Sequence, residues 1–216
     1  MVFLCSPNNP TGLVEPPELV GAVVDAVARA GRGIVVVDEA YGQFASWSAQ
    51  SLLGDESPLV VSRTYSKTWS MAAARLGYLL APAWLIAELD KVVLPYHLSV
   101  LAQLAGTLAL DYADDMEARV AAIVEERGRV VAGLCELGAE VWPSGANFVL
   151  FRPPGGDGEA VWQGLLERSV LVRSWASWPR LEGCLRVTIG TPEENGLFLA
   201  ALADVLAGSL SEGSRP

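Results

Sequence analysis

One lysine of this sequence stands where a side-chain amine can perform covalent chemistry. Lys67 follows an apolar run within Ser62-Arg63-Thr64-Tyr65-Ser66-Lys67, and Arg75 lies eight positions further on. An amine in this position can attack a carbonyl group and, once released, carry a proton. Because a guanidinium presents a fork of donors to a carboxylate or phosphate, the two residues predict covalent chemistry beside a bound anion.

Two further polar clusters stand upstream of Lys67, each at the end of a short apolar run. They are Asn8-Asn9-Pro10-Thr11-Gly12 and Asp38-Glu39-Ala40-Tyr41. If the apolar runs are parallel strands, their carboxyl ends meet at one edge of the sheet, where ligands bind. We therefore expect Asn9, Asp38 and Lys67 at the same rim.

The first half of the chain has the pattern of an α/β domain. Residues 2–5, 34–37 and 59–61 are continuous apolar runs, which is typical of parallel strands that are buried on both faces. Residues 16–30 have helical apolar spacing, open with prolines and end before Gly31, so they predict a crossover helix. The expected fold class is therefore α/β with a parallel sheet.

The second half predicts two long helices, at residues 95–112 and 114–137, followed by a mixed region. Further strands are predicted at 140–142, 147–151, 170–172 and 185–189, and further helices at 158–168 and after Thr191. Thr191-Pro192-Glu193-Glu194 is typical of a capping box with proline at the first helical position. We expect domains at residues 1–112 and 113–207 and a flexible tail at 208–216.

The composition argues against several classes of protein. The chain has 216 residues and a net charge of -10, so we expect no nucleic-acid surface, and any anion must be held by a local pocket. Three widely spaced cysteines without a CxxC predict reduced thiols rather than a disulfide framework or a metal site. His97 is the single histidine, which argues against a histidine zinc site or a Ser-His-Asp triad, and we interpret it as a packing or hydrogen-bonding residue. No apolar run approaches the span of a bilayer, so a soluble, cytoplasmic protein is expected.

The order and spacing of the clusters resemble the histidinol-phosphate aminotransferases, which are fold-type I enzymes that use pyridoxal phosphate. The likeness extends over nearly the whole chain. It is carried by Asn8-Asn9-Pro10-Thr11-Gly12, Val37-Asp38-Glu39-Ala40-Tyr41, Ser66-Lys67 with Arg75-Leu76-Gly77-Tyr78, Pro95-Tyr96-His97-Leu98-Ser99, Val170-Leu171-Val172-Arg173 and residues 186–195. The resemblance implies the C-terminal part of a large parallel-sheet domain, followed by a small α/β C-terminal domain.

The resemblance also implies that Lys67 and Asp38 bind pyridoxal phosphate. This cofactor needs an amine, an anion beside its ring nitrogen, donors to its ring oxygen and a phosphate cradle. Lys67 would form the covalent bond and then move the substrate proton, while Asp38 would pair with the protonated ring nitrogen. The alternatives are a solvated lysine and a strand-end turn acid. An NTPase acidic box is excluded, because the chain has no GxxxxGK[ST] loop.

The remaining polar groups would complete the cofactor site. Asn9 and Tyr41 would donate hydrogen bonds to the ring oxygen. Arg75 would hold the phosphate together with the hydroxyl groups of Thr64 and Ser66. An ordinary turn at Asn9 and a salt-bridged surface arginine at Arg75 are the alternatives.

Two arginines are candidates for binding the substrate. Arg186 alternates with the apolar Leu185 and Val187, so it points to the opposite face and could bind a carboxylate or phosphate. Arg173 follows the predicted strand 170–172 and is a weaker second anion contact, with a solvated arginine as the alternative.

The resemblance implies a ping-pong transamination in a cytoplasmic homodimer. Histidinol phosphate and 2-oxoglutarate would give imidazole acetol phosphate and glutamate. Three alternatives stay open: another pyridoxal-phosphate-dependent amino-acid aminotransferase, a lyase like threonine-phosphate decarboxylase, and an inert fragment or half-enzyme that needs a complementary chain.

The sequence departs from the family's pattern in two respects. Ala72-Ala73-Ala74 stands where the family usually has a glycine before the phosphate arginine. The N-terminal portion of the family, which holds much of the cofactor phosphate and stacks on the ring, has no counterpart in these 216 residues. We therefore expect this chain by itself to bind the cofactor weakly.

Overall fold

The computed structural model describes residues 1–212, which form two compact units. Unit 1 comprises residues 1–9 and 13–120, and unit 2 comprises residues 10–12 and the chain from 121 onward. The division between them falls within a long helix. The domain boundary at 112/113 stays a prediction.

Unit 1 contains a four-stranded sheet with the order β1-β2-β3-β4. β1, β2 and β3 are parallel, and β4 runs antiparallel to β3. The strands are β1 Val2–Cys5, β2 Val35–Asp38, β3 Leu59–Thr64 and β4 Gly77–Leu80, and the helices are α1 Pro17–Arg29, α2 Ala83–Asp90 and α3 Val100–Ala109. The three parallel strands and the crossover helix α1 confirm the α/β pattern of the sequence.

The core of unit 1 lies between the middle of this sheet and α1. Val35, Val37, Leu59 and Val61 are fully buried, and Val20 of α1 packs in the same cluster. β1 differs from its neighbours, because Val2 and Phe3 are 37% and 69% exposed. The apolar edge strand is therefore only partly covered by the described residues.

Two parts of unit 1 differ from the sequence prediction. The helix predicted at 95–112 begins only at Val100, since Tyr96 has a left-handed φ of 57° and Ser99 caps the helix by accepting a hydrogen bond from Ala102 N–H. β4 and α2 were not predicted. β4 has a short apolar run, Tyr78-Leu79-Leu80, but alternates between exposed and half-buried residues. α2 has a weak periodicity with one buried residue, Leu85.

Unit 2 contains a second four-stranded sheet with the order β5-β6-β8-β7, in which every pair is antiparallel. The strands are β5 Glu140–Val141, β6 Phe148–Arg152, β7 Arg173–Ser174 and β8 Leu185–Thr188. The helices are α4 Ala113–Glu136, which begins in unit 1, α5 Gly158–Glu167 and α6 Pro192–Glu212. The core joins Val149, Phe151 and Leu185 of the sheet to Leu165 of α5 and Leu202 of α6.

The capping box predicted at Thr191 is confirmed. Glu194 accepts a hydrogen bond from Thr191 N–H at 2.8 Å, and the Thr191 hydroxyl accepts one from Glu194 N–H at 3.2 Å. The end of α4 before Gly138, with its left-handed φ of 78°, is likewise confirmed.

The strand predicted at 170–172 is wrong. After α5 the chain turns at Ser169, which has a φ of 60°, and Val170 N–H donates to Leu165 O and so ends the helix. Pairing with β8 begins only at Arg173. The apolar residue Val172 is buried because it packs on the core, not because it belongs to a strand.

The C-terminal helix is longer than the sequence predicted. α6 continues through the first part of the tail predicted at 208–216, and residues 213–216 lie outside the described part of the chain. Cys5, Cys135 and Cys184 are free thiols. Within residues 1–212, no helix has the length and apolar character needed to cross a bilayer.

We expect chain 1–216 to self-associate, because it exposes a long apolar face on and before α3. Val100 and Leu101 are 78% and 77% exposed, and Val92 and Leu94 are nearly as exposed. Exposed apolar faces of this extent promote association. Leu101→Glu should raise the monomer fraction in sedimentation velocity, whereas the matched control Leu171→Glu, an exposed leucine in unit 2, should not. A wild-type chain that stays monomeric at all concentrations tested would contradict this expectation.

Candidate active site

The register of unit 1 places the ends of three parallel strands side by side. Cys5 of β1 pairs with Asp38 of β2, and Asp38 pairs with Ser62 of β3. Asn9 follows the end of β1, and Lys67 follows the end of β3. The rim that the sequence predicted is therefore present, with polar groups delivered by each strand.

Asp38 is a turn residue at the end of β2, and its pairing with a cofactor ring nitrogen stays a prediction. Its Oδ1 accepts a hydrogen bond from Ala40 N–H at 3.0 Å, so the side chain caps the turn after β2. Asp38 is exposed, and the turn bond engages one carboxylate oxygen. A turn acid fixed in this way can still present its negative charge to a ligand.

Cys5 joins the end of β1 to Asp38 and was missed by the sequence analysis. Burial raises the pKa of the Cys5 thiol, a hydrogen bond from the Asn9 backbone lowers it, and the charge of Asp38 raises it. The result is a raised pKa, so the thiol stays neutral at neutral pH. Cys5 thus pairs with Asp38 through the strand register, and its thiol interacts with the Asn9 backbone. A single cysteine without a partner carries no sequence signal for such a position.

Lys67 lies beside Tyr41, and the resemblance implies that both belong to the cofactor site. The Lys67 Nζ atom is 5.4 Å from the centre of the Tyr41 ring. Lys67 is exposed, whereas Tyr41 is buried. The buried Thr68 donates a hydrogen bond to Gln43 Oε1 at 2.6 Å and so fastens the lysine loop to the loop after β2. The geometry brings the amine and the phenol together; their catalytic roles stay predictions.

Arg75 stands on a tight turn with a left-handed backbone. Residues Ala72–Ala74 form a single 3-10 turn, and Arg75 follows it with a φ of 50°. The Arg75 guanidinium donates to Ala72 O at 3.1 Å and forms no ion pair with a carboxylate of the described residues. Most of its donors therefore remain available to an anion, and the salt-bridged alternative is not observed.

The hydroxyl group of Thr64 is already engaged by the protein. It lies 3.4 Å from Leu76 O, to which it donates, and it accepts a hydrogen bond from Ser66 N–H at 3.0 Å. The Thr64 side chain therefore shapes the turn before Lys67. It can contribute to an anion site only through its second lone pair or after rotation.

A buried ion pair behind the rim was not assigned a role by the sequence. Glu39 and Arg63 form a salt bridge at 2.9 Å, with side chains only 3% and 12% exposed. The Glu39 carboxylate also accepts hydrogen bonds from Ala49 N–H at 2.6 Å and the Ser48 hydroxyl at 2.8 Å. A Cβ at Gly42 would lie 2.7 Å from Glu39 Cβ, so the glycine makes room for this side chain.

The charge of Arg63 is stabilised by its neighbours. Burial lowers the pKa of Arg63, but hydrogen bonds and electrostatic attraction to Glu39 and Tyr78 together outweigh this effect and hold the pKa above its ordinary value. The guanidinium also donates to the Ser48 hydroxyl at 2.7 Å. Removal of one partner of such a buried pair costs about 3–5 kcal/mol, since the other charge is then left without compensation.

The groups of unit 1 fit the chemistry of pyridoxal phosphate. The cofactor requires an amine, an anion, donors to its ring oxygen and a phosphate site. Lys67, Asp38 and Tyr41 supply the first three at the ends of β2 and β3, and Asn9 adds an amide after β1. The guanidinium of Arg75, which has no ion pair among the described residues, could offer a donor fork to a phosphate.

Unit 2 brings the two predicted substrate arginines together. Arg173 of β7 and Arg186 of β8 stand directly opposite each other in the strand pair. Their guanidinium groups lie 5.8 and 5.9 Å from the ring centre of Trp175, and Arg186 also lies 4.7 Å from that of Phe148. Like charges in opposite positions of a strand pair repel, so this arrangement favours an anion. The aromatic contacts reduce the repulsion through cation–π attraction.

The comparisons with known proteins agree with this geometry. Residues 1–202 match the family described as aminotransferase class I and II. A histidinol-phosphate aminotransferase of Frankia casuarinae is 47% identical over 213 residues, covering 97% of this chain and 52% of that protein. One of Mycolicibacterium smegmatis is 46% identical over 218 residues, covering 100% of this chain and 55% of that protein.

A solved structure extends the comparison to the fold. The histidinol-phosphate aminotransferase of Sinorhizobium meliloti, in complex with pyridoxal-5'-phosphate, matches with a TM-score of 0.83 and 27% identity, over 96% of this chain and 57% of that one. The chain spans about half the length of the curated relatives it matches. Its two units thus have the α/β fold of the fold-type I enzymes, and the chain belongs to the class I and II aminotransferases.

Proposed function

We propose that this chain carries the catalytic residues of a pyridoxal-phosphate-dependent aminotransferase. The observation that carries the proposal is the placement of Lys67, Asp38 and Tyr41 at adjacent strand ends, with the lysine amine 5.4 Å from the tyrosine ring. Because the chain spans about half the length of its curated relatives, the activity is proposed for the complete family fold.

The cofactor, when bound, withdraws electrons from the substrate carbon. Lys67 would hold the cofactor covalently and, after the substrate replaces it, accept and return the proton at Nζ. The Asp38 carboxylate would keep the ring nitrogen protonated, and Asn9 and Tyr41 would donate to the ring oxygen. Arg75, with Ser66 and the partly engaged Thr64 hydroxyl, would hold the phosphate.

The proposed reaction transfers an amino group from histidinol phosphate to 2-oxoglutarate, giving imidazole acetol phosphate and glutamate. The names of the relatives at 47% and 46% identity support histidinol phosphate as the amino donor, and 2-oxoglutarate is the acceptor that the resemblance implies. The Arg173 and Arg186 pair suits it, since the donor carries a phosphate and the acceptor two carboxylates. We further propose a cytoplasmic homodimer for the complete protein.

Lys67→Ala should abolish covalent attachment of pyridoxal phosphate. The chain has two lysines, and the other one, Lys91, is exposed on the surface and paired with Glu88. After incubation with the cofactor and reduction with borohydride, peptide mass spectrometry should find the label on Lys67. The Lys91→Ala control should keep the label, and label found on Lys91 instead would exclude this assignment.

Asp38→Asn should leave attachment at Lys67 intact but slow proton transfer by orders of magnitude. An amide cannot hold the positive charge on the ring nitrogen, so the cofactor withdraws electrons poorly. Single-turnover absorbance kinetics of a transaminating form would measure the effect. The control Asp55→Asn, at an exposed loop of unit 1, should keep the wild-type rate. A wild-type rate in Asp38→Asn would show that Asp38 stabilises the turn and does not act on the cofactor.

Arg186→Ala should mainly raise the KM for glutamate and 2-oxoglutarate, because it removes the guanidinium proposed to bind a substrate carboxylate. A loss of about 10–100-fold in kcat/KM corresponds to one charge-assisted hydrogen-bonded pair. Arg152→Ala is the matched control, since Arg152 lies in the same sheet but pairs with Glu140. An effect limited to cofactor affinity would assign Arg186 to the cofactor instead.

A further inference from the structure

The buried Glu39–Arg63 ion pair connects the two chain segments that carry the proposed catalytic groups. Glu39 directly follows Asp38 at the end of β2, and Arg63 lies in β3, four residues before Lys67. We propose that this pair is a positioning device that fixes Asp38 relative to Lys67. The inference rests on the proposed function for its consequence, but the geometric part concerns this chain alone.

Glu39 cannot act on a ligand directly. Its side chain is 3% exposed, and both carboxylate oxygens are used inside the protein. Oε2 accepts from the Ser48 hydroxyl and from Nε and Nη2 of Arg63, and Oε1 accepts from Ala49 N–H. A side chain held from this many directions has one position, and so does the backbone of the adjacent Asp38.

A second link ties the same two segments further from the sheet. Thr68, next to Lys67, donates to Gln43, which lies two residues after Tyr41. The loop carrying Asp38 and Tyr41 is thus fastened to the lysine segment at both ends. Both Asp38 and Lys67 are exposed, so packing alone does not fix their separation.

An ion pair is suited to positioning more than to stability. A well-packed apolar pair is often at least as stable as a buried ion pair, because the charges must be desolvated. A guanidinium, in contrast, presents its donors in a rigid planar fork. Nε and Nη2 of Arg63 both donate to Oε2 of Glu39, at 3.1 and 2.9 Å, while Ala49 N–H holds Oε1. Donors on both oxygens restrict the orientation of the carboxylate as well as its distance.

The test separates positioning from stability with a double substitution. Glu39→Gln with Arg63→Met removes both charges together, so neither is left buried without a partner, and the urea midpoint should stay near that of the wild type. Amide hydrogen exchange of the cofactor-free chain should nevertheless become faster in residues 38–44 and 64–71, by about threefold or more. The control Glu140→Gln, which breaks the exposed pair with Arg152, should leave both segments unchanged.

The cofactor gives a second readout. The pyridoxal phosphate concentration that half-labels Lys67 under borohydride should rise about tenfold in the double variant, because small displacements of reacting groups are costly. A double variant of wild-type stability, with wild-type exchange in both segments and wild-type labelling, would overturn the proposal. A wild-type chain that is never labelled would instead contradict the proposed function, while the exchange comparison still tests the positioning pair.

A milder variant covers the case in which the double variant does not fold. Arg63→Lys keeps a positive charge beside Glu39 but replaces the planar fork of donors by a point charge. Faster exchange in both segments is again the expected result. Unchanged exchange in both segments would overturn the inference.

Discussion

The hydrogen-bond register of three parallel strands is the constraint on which the proposed cofactor site depends. Cys5, Asp38 and Ser62 are aligned across β1, β2 and β3, and the pairing continues past the strands. Ser6 N–H donates to Asp38 O, and Glu39 N–H donates to Ser62 O. The three polar segments therefore leave the sheet at one level. Since parallel strands share a direction, each of them delivers its following residues to the same rim.

The strand register alone does not fix the positions of the exposed side chains. Buried polar contacts between the segments after β2 and β3 fix these segments relative to each other. The Glu39–Arg63 pair and the Thr68–Gln43 hydrogen bond join the segments after β2 and β3. Both lie away from solvent, where an unsatisfied polar group is costly. Any displacement that separates the two segments must break these bonds, so the loops move together or remain in place.

The sheet of unit 2 places two positively charged side chains opposite each other. Arg173 and Arg186 are aligned across β7 and β8, and Trp175 lies about equally far from both guanidinium groups. Two like charges on one face store a repulsion that a bound anion relieves. The net charge of the protein is -10, so the overall composition does not indicate this local pair of positive charges.

The sequence by itself determined the elements whose signal is local. The buried strands, the crossover helix α1 and the capping box at Thr191 follow from apolar runs, spacing and cap residues, which act within a few neighbours. The candidate residues Lys67, Asp38 and Tyr41 were also predicted, because their motifs recur in a known family.

Contacts between distant segments were decided by the tertiary structure alone. The partnership of Glu39 with Arg63, the position of Cys5 beside Asp38 and the start of β7 at Arg173 rather than Val170 depend on which strands become neighbours. A single sequence does not encode that choice in its local pattern, since pairing is set by packing over the whole unit.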